Sequence, residues 1–271
     1  MKFTYKSEGQ GPPLVFLNAS GLGDYYWKKQ LQFFPGDFNV IILNCKGYGA
    51  STTRKVQQLP FAETFEEHAD YILEFFAEQK LKDIHLIGHS FGSIIALFAG
   101  IRRQNIFSSL HLIEPDSILI DSAEKRILKR AAKMSKESFI KNMVAYVEKT
   151  SGHWLPEEIK VKVMADTCKN SECYKNIFSV LSRMEYDEGL LEEWLSGLSF
   201  PVTVIYGGRK RGEEAALNFE NNLFDRLPRS RFDVIDNCGH NPMLEKPALF
   251  NRVLQNSLKQ SNQPFLLTRW S

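Results

Sequence analysis

Residues Ile84-His85-Leu86-Ile87-Gly88-His89-Ser90-Phe91-Gly92 decide how the chain is read. The short apolar run Ile84–Ile87 leads into Gly88-x-Ser90-x-Gly92. The stretch after it, up to Gly100, reads as a buried helix. A strand, a sharp turn and a helix form the context in which G-x-S-x-G carries chemistry. The serine must sit on a strained turn, and flanking glycines let strand and helix approach closely. Such a turn lifts the Ser90 hydroxyl above the sheet and aims the N–H of Phe91 at the same point.

On either side of this stretch, apolar runs alternate with amphipathic ones. Leu14–Leu17, Val40–Leu43, Leu110–Ile113 and Val202–Tyr206 read as strands, and Phe232–Ile235 as a last short strand. Glu63–Glu78 places Phe65, Ala69, Ile72, Phe75 and Phe76 at helical spacing, and Pro247–Leu258 reads as a last helix. Alternating strands and helices imply crossover connections and an α/β fold with a mostly parallel central sheet. Residues 121–198 break the alternation: they are rich in Lys, Glu, Met and Leu and read as several helices. The expectation is a core domain built from 1–120 and 199–271, with 121–198 inserted as a helical lid. In an open α/β sheet the ligand crevice lies at the carboxyl ends of the strands, where such an insertion would start.

The composition of the 271 residues excludes several classes. Hydrophobic residues make up 43% and charged ones 24%, so the chain is neither disordered nor of low complexity. With 34 Lys+Arg against 32 Asp+Glu, the net charge of +2 points to no nucleic-acid partner. Cys45, Cys168, Cys173 and Cys238 form no CxxC pair and read as free thiols of a reducing compartment. The N-terminal MKFTYKSEGQGPP holds no apolar run of signal-peptide length. The most apolar segment, Ile84–Ile101, is interrupted by histidine, serine and glycine, so no membrane association is expected. Cytoplasmic residence is the default.

A serine hydroxyl needs a base. Of the six histidines, His85 and His111 lie in apolar strands, His68 on a polar helix face and His153 in the insertion. His89 lies inside the elbow, where alternation turns it away from the serine. His240 follows the last strand through Asp236-Asn237-Cys238-Gly239, on a loop able to reach Ser90 across the sheet edge.

Taken together, these segments resemble the α/β-hydrolase fold superfamily, in its small, lid-bearing, esterase-like subgroup, over nearly the whole chain. Leu14–Gly23 (LVFLNASGLG) resembles the family's oxyanion loop, Asn44–Ser51 its D-x-R-G-x-G-x-S turn, and Gly88–Gly92 its nucleophile elbow. Gly239-His240-Asn241-Pro242 with Glu245-Lys246-Pro247 is similar to its G-H-x-P-x-x-E-x-P histidine loop. The resemblance implies Ser90 as nucleophile, His240 as general base and then acid, and an oxyanion hole made by the N–H groups of Phe91 and Ser20. Three positions depart from the pattern. Asn18-Ala19 stands for the usual His-Gly, and Asn44 for an acid. Lys210, between Arg209 and Arg211, stands where the triad acid is usually found. A cation there cannot orient an imidazole. Some family members carry the acid after the strand that follows the nucleophile helix. That strand here ends in Glu114-Pro115-Asp116, which makes Glu114 the first candidate, with Asp116, Glu213 and Glu214 as alternatives.

The expected function is a serine hydrolase acting on a carboxylic ester or thioester, free or carried on a protein, with no metal and no organic cofactor. It would work as a monomer or homodimer. Aromatic residues Tyr25, Tyr26, Trp27, Trp154 and Trp194 suggest an apolar acyl pocket. The alternatives are a non-hydrolytic small-ligand binder and a relative performing C–C cleavage, acyl transfer or cyclisation, since fold does not choose among these.

Overall fold

The structure, a computed structural model, describes residues 3–18, 25–48, 60–115, 122–149, 155–185, 188–208, 230–259 and 266–270. Its apolar runs form one eight-stranded sheet. The strands are β1 (Tyr5–Glu8), β2 (Pro13–Asn18), β3 (Asn39–Asn44), β4 (Ile84–His89), β5 (Phe107–Ile113), β6 (Val202–Gly207), β7 (Ser230–Ile235) and β8 (Leu266–Trp270). They lie in the order β1-β3-β2-β4-β5-β6-β7-β8. Only β1 runs antiparallel, against β3. β3 and β4 flank β2 on opposite sides, so the winding reverses there. The carboxyl end of β4, which carries Ser90, opens onto that switch point.

Both faces of the sheet are covered, which is why its inner strands are continuous apolar runs rather than alternating ones. Alternation still sorts their side chains. Val15 and Leu17 join a core with Phe65, Ile72 and Phe75 of α2 (Phe65–Glu78) and with Ile95 of α3 (Phe91–Arg102). Leu14 and Phe16 face the other way, onto Trp27 and Phe34, which flank α1 (Lys28–Phe33), and onto Phe250 and Val253 of the C-terminal helix (Pro247–Lys259). Thr64 caps α2 by accepting from the Glu67 N–H at 3.2 Å, while the Glu67 carboxylate accepts from the Glu63 N–H at 3.0 Å. The helix therefore starts where the apolar stripe starts.

Between β5 and β6 the described residues form five helices: α4 (Ser122–Ala132), α5 (Lys136–Val147), α6 (Glu157–Lys169), α7 (Ser171–Arg183) and α8 (Glu188–Ser196). Cys173, Ile177, Val180 and Leu181 of α7 extend the α2–α3 core, whereas Val163 of α6 joins the opposite one. Ile127, Tyr146, Val161 and Leu190 of this layer stay exposed.

Two strands were not legible in the sequence. All four residues of β1 are exposed and polar or aromatic, and β8 follows the helix that reads as the last element. Both are edge strands of the sheet, β1 beside β3 and β8 beside β7, and β1 presents no apolar run. The four cysteines are free thiols, with Cys45, Cys173 and Cys238 buried. No helix among the described residues is long and apolar enough to cross a membrane.

Candidate active site

Ser90 sits at the turn between β4 and α3 with φ 52° and ψ −123°, a conformation rare for a residue with a side chain. Such a backbone costs about 1–3 kcal/mol and persists only where its surroundings fix it. Here they do. The Ser90 N–H donates to the Ile113 carbonyl at 2.8 Å, and the Ser93 N–H donates to the Ser90 carbonyl at 2.8 Å. The Ser93 hydroxyl lies 2.8 Å from the Gly88 carbonyl and 3.0 Å from that of Ile113, and it accepts from the Ile113 N–H at 3.1 Å. It thereby fastens the elbow to β5. Gly88 has to be glycine: a Cβ there would lie 2.3 Å from the Gly92 carbonyl oxygen. Ser90 precedes the first turn of a twelve-residue helix, so its hydroxyl faces the positive end of the α3 dipole.

Glu114 follows β5 directly, also at positive φ (46°). Its N–H donates to the Ile205 carbonyl at 2.8 Å, which continues the parallel pairing with β6 for one more residue. That geometry drives the carboxylate inward, where it is 3% exposed. One oxygen accepts from the Gly207 N–H, and the other lies 3.2 Å from His240 Nδ1. Gly207 also brings β6 against the histidine loop, since a Cβ there would fall 2.1 Å from the Gly239 carbonyl oxygen.

His240 is held from below by Glu245. This carboxylate accepts from the Gly239 N–H at 2.5 Å and from the Asn241 N–H at 2.9 Å, clasping the backbone on both sides of the histidine. Burial raises the Glu245 carboxyl above its ordinary pKa, and these two backbone donors oppose the rise. Glu245 lies in the helical turn α9 (Pro242–Glu245), just before α10 (Pro247–Lys259). With Nδ1 facing Glu114, Nε2 is the nitrogen that His240 has for acid–base work. The site therefore gathers a strained serine, an imidazole and a buried carboxylate from the ends of β4, β5 and β7.

The comparisons with known proteins bear on the fold and the family. A model of the alpha/beta hydrolase fold matches residues 12–247. The chain belongs to that family. The (E)-2-((N-methylformamido)methylene)succinate hydrolase of Acinetobacter baylyi is 21% identical, over 93% of this chain and 92% of its own. Among solved structures, a thermophilic esterase from Thermogutta terrifontis superposes with a TM-score of 0.76 at 20% identity, covering 96% of this chain and 94% of its own. MenH from S. aureus does so with 0.78 at 18% identity, covering 97% and 99%.

In this alpha/beta hydrolase two of the departures noted in the sequence meet each other. Asn18 and Asn44 are register partners at the ends of β2 and β3, and Asn18 Nδ2 donates to Asn44 Oδ1 at 2.9 Å. An uncharged amide pair thus ties the start of the early loop to the following turn. Ser20, Asp116, His153, Trp154, the run Arg209–Arg211, Glu213 and Glu214 lie outside the described residues.

Several sequence readings change. Trp27 fills the core against Phe16 and Phe250, and Trp194 packs on Phe98, so neither supports an acyl pocket. His111 is buried as expected, with Nε2 2.8 Å from the Ser109 hydroxyl. His68 is not on a polar face: it is fully buried against Tyr48 and Phe91, and neither ring nitrogen has a hydrogen-bond partner among the described residues. Desolvation and the nearby Lys46 push its pKa down to about 3. The spacing held the signal, because His68 follows Phe65 by three and precedes Ile72 by four, on the apolar stripe. His89 borders the histidine loop, its ring 4.8 Å from that of His240. Ser93 gave no local sign of its tie to Ile113, which lies twenty residues away on β5, whereas Glu245 stands in the histidine-loop motif and clasps that loop's own N–H groups. Among the described residues, no group of three His, Cys, Asp or Glu side chains is placed to hold a metal ion.

Proposed function

We propose that the protein is a serine hydrolase that cleaves a carboxylic ester or thioester of a small molecule through an acyl-enzyme on Ser90. The observation that carries this reading is the 3.2 Å approach of the Glu114 carboxylate to His240 Nδ1, on a loop fixed beside the strained serine turn. Glu114 holds the imidazole with its proton on Nδ1 and stabilises the imidazolium that forms in the reaction. Nε2 then takes the Ser90 proton as the hydroxyl oxygen attacks the carbonyl carbon. The tetrahedral oxyanion receives N–H bonds from Phe91 and Ser20, and one such donor contributes about 3–4 kcal/mol to lowering the barrier. His240 returns its proton to the leaving alcohol or thiol. Water, deprotonated by the same nitrogen, then cleaves the acyl-enzyme. Helices within 121–198 act as a lid over the crevice and set the substrate. Relatives with esterase, lipase and hydrolase names support ester chemistry.

The decisive experiment pairs a fluorophosphonate probe with a series of p-nitrophenyl esters and thioesters of increasing acyl length. Wild type is expected to label and turn over, and Ser90→Ala to do neither. Equal labelling of wild type and Ser90→Ala would remove Ser90 from the mechanism. Labelling without turnover of any acyl substrate would favour a ligand-binding or C–C-cleaving relative.

A further inference from the structure

His89 holds the histidine loop to the nucleophile. It is the last residue of β4, adjacent in sequence to Ser90 and 7% exposed. Both of its ring nitrogens are engaged. Nε2 lies 2.7 Å from the backbone carbonyl of His240, and Nδ1 meets the hydroxyl of Tyr26. A carbonyl only accepts, so Nε2 carries the proton. In a neutral ring Nδ1 is then bare, and Tyr26 donates to it. Tyr26 can do so because burial holds its phenol pKa well above the ordinary value and keeps the hydroxyl protonated. The same hydroxyl lies 3.4 Å from Asn241 Oδ1, one residue beyond His240. The partner chemistry thus fixes a single tautomer for His89.

We infer that His89, set in that tautomer by Tyr26, is a positioning residue that fixes the His240 loop to the serine turn. The inference rests on the hydrolase reading above for its kinetic meaning. Glu245 clasps the loop's N–H groups and Glu114 takes the ring's Nδ1, but both approach from elements other than the elbow. The His89 bond runs to the loop from the covalent neighbour of Ser90. It therefore ties base and nucleophile to one frame. Tyr26 brings in a third segment, the one following the early loop after β2. The end of β4, the loop after β7 and the residues just before α1 meet at one imidazole.

The test uses the full chain and two independent readouts. The first is kinetic. His89→Leu keeps the volume and removes the donor; kcat should fall about 10- to 100-fold with KM changed less than about threefold, the pattern of misplaced groups rather than lost binding. His89→Gln, whose amide N–H can reach the same carbonyl, should recover kcat to within about fivefold of wild type, and Tyr26→Phe should fall between the two. If Gln is as slow as Leu, or if Leu keeps wild-type kcat, the inference is overturned. Should His89→Leu fail to give a native circular dichroism spectrum, the Gln and Phe variants carry the test. The second readout needs no turnover. In 15N-histidine NMR at neutral pH, His89 should show the Nε2–H tautomer, and His89→Gln should shift the His240 ring signals less than His89→Leu does. An Nδ1–H or doubly protonated His89 overturns the inference even in a protein that hydrolyses esters well. Conversely, the expected tautomer in a protein that hydrolyses nothing leaves the positioning intact and removes the hydrolase reading.

Discussion

Two buried imidazoles touch the serine turn, and they are held in opposite ways. On the crevice side, His89 has a partner for each ring nitrogen, and through it the His240 loop is fixed. On the core side, His68 packs its ring edge-on against Phe91, 5.4 Å between centroids, with no partner for either nitrogen among the described residues. Both are nearly or wholly removed from solvent. Burial alone makes an imidazole neutral and indifferent to orientation. Burial with two directional bonds makes it a ruler. The crevice side is therefore where small displacements should appear as lost rate, and the core side where they should appear as lost stability.

The largest expected effect attacks the crevice side at its carboxylate. Glu114→Gln can still accept from the Gly207 N–H, but it presents an N–H to His240 Nδ1 and so favours the wrong tautomer. A loss in kcat of about 10²- to 10⁴-fold is expected, with unchanged folding. Near-normal turnover would show that the triad acid lies elsewhere. Ser93→Ala comes next, because it breaks the tie between elbow and β5 and leaves the buried Ile113 N–H without its acceptor. Chemical denaturation should show a loss of about 1–3 kcal/mol. A neutral result would mean that the strained turn holds itself.

The core side is probed by acid. His68 keeps its ring neutral in the fold, with a pKa near 3 against an ordinary 6.5. Below pH 6.5 the unfolded chain takes up a proton that the folded one refuses, so stability present at pH 7 is lost as the pH falls from 6.5 toward 3. For His68 this loss is about 2 kcal/mol at pH 5. His111 is shifted in the same direction and adds to it. His68→Leu should remove about 2 kcal/mol of the stability lost between pH 7 and pH 5 in urea titrations. An unchanged slope would show that His68 is protonated or hydrogen-bonded in the fold. The smallest effect is expected at the far end of α3, where Arg102 pairs with Asp70 at 2.8 Å and both side chains are about half exposed. Asp70→Asn should cost under about 1 kcal/mol and leave kcat unchanged. A larger change would mean that α3 transmits strain along its length to Ser90.

The elbow was legible because its requirement is local. Gly88 and Gly92 flank the serine, and an apolar run leads into them, so four or five neighbouring residues specify the turn. The core helices were legible for a similar reason, since Phe65, Ile72 and Phe76 repeat at the spacing of one face. The partners of His89 were not legible because strand alternation assigns a side but not a partner, and they come from residues 26 and 240. His68 was misread because Glu66, Glu67 and Asp70 around it suggest a polar face, while its own position lies on the buried stripe. β1 left no pattern because an exposed edge strand needs little apolar surface.

By itself, the sequence determined the strand–turn–helix around Ser90, the alternating α/β order and the loop that carries His240, all set by contacts within a few residues. It named Glu114 as the first of several candidate carboxylates. The tertiary structure decided that Glu114, at the end of β5, meets His240 beyond β7, and that Asn18 meets Asn44. It decided too that His89 binds the His240 loop. Such pairings depend on strand order and on the register of parallel strands, which bring together residues 26 to 151 positions apart, and no local spacing encodes that.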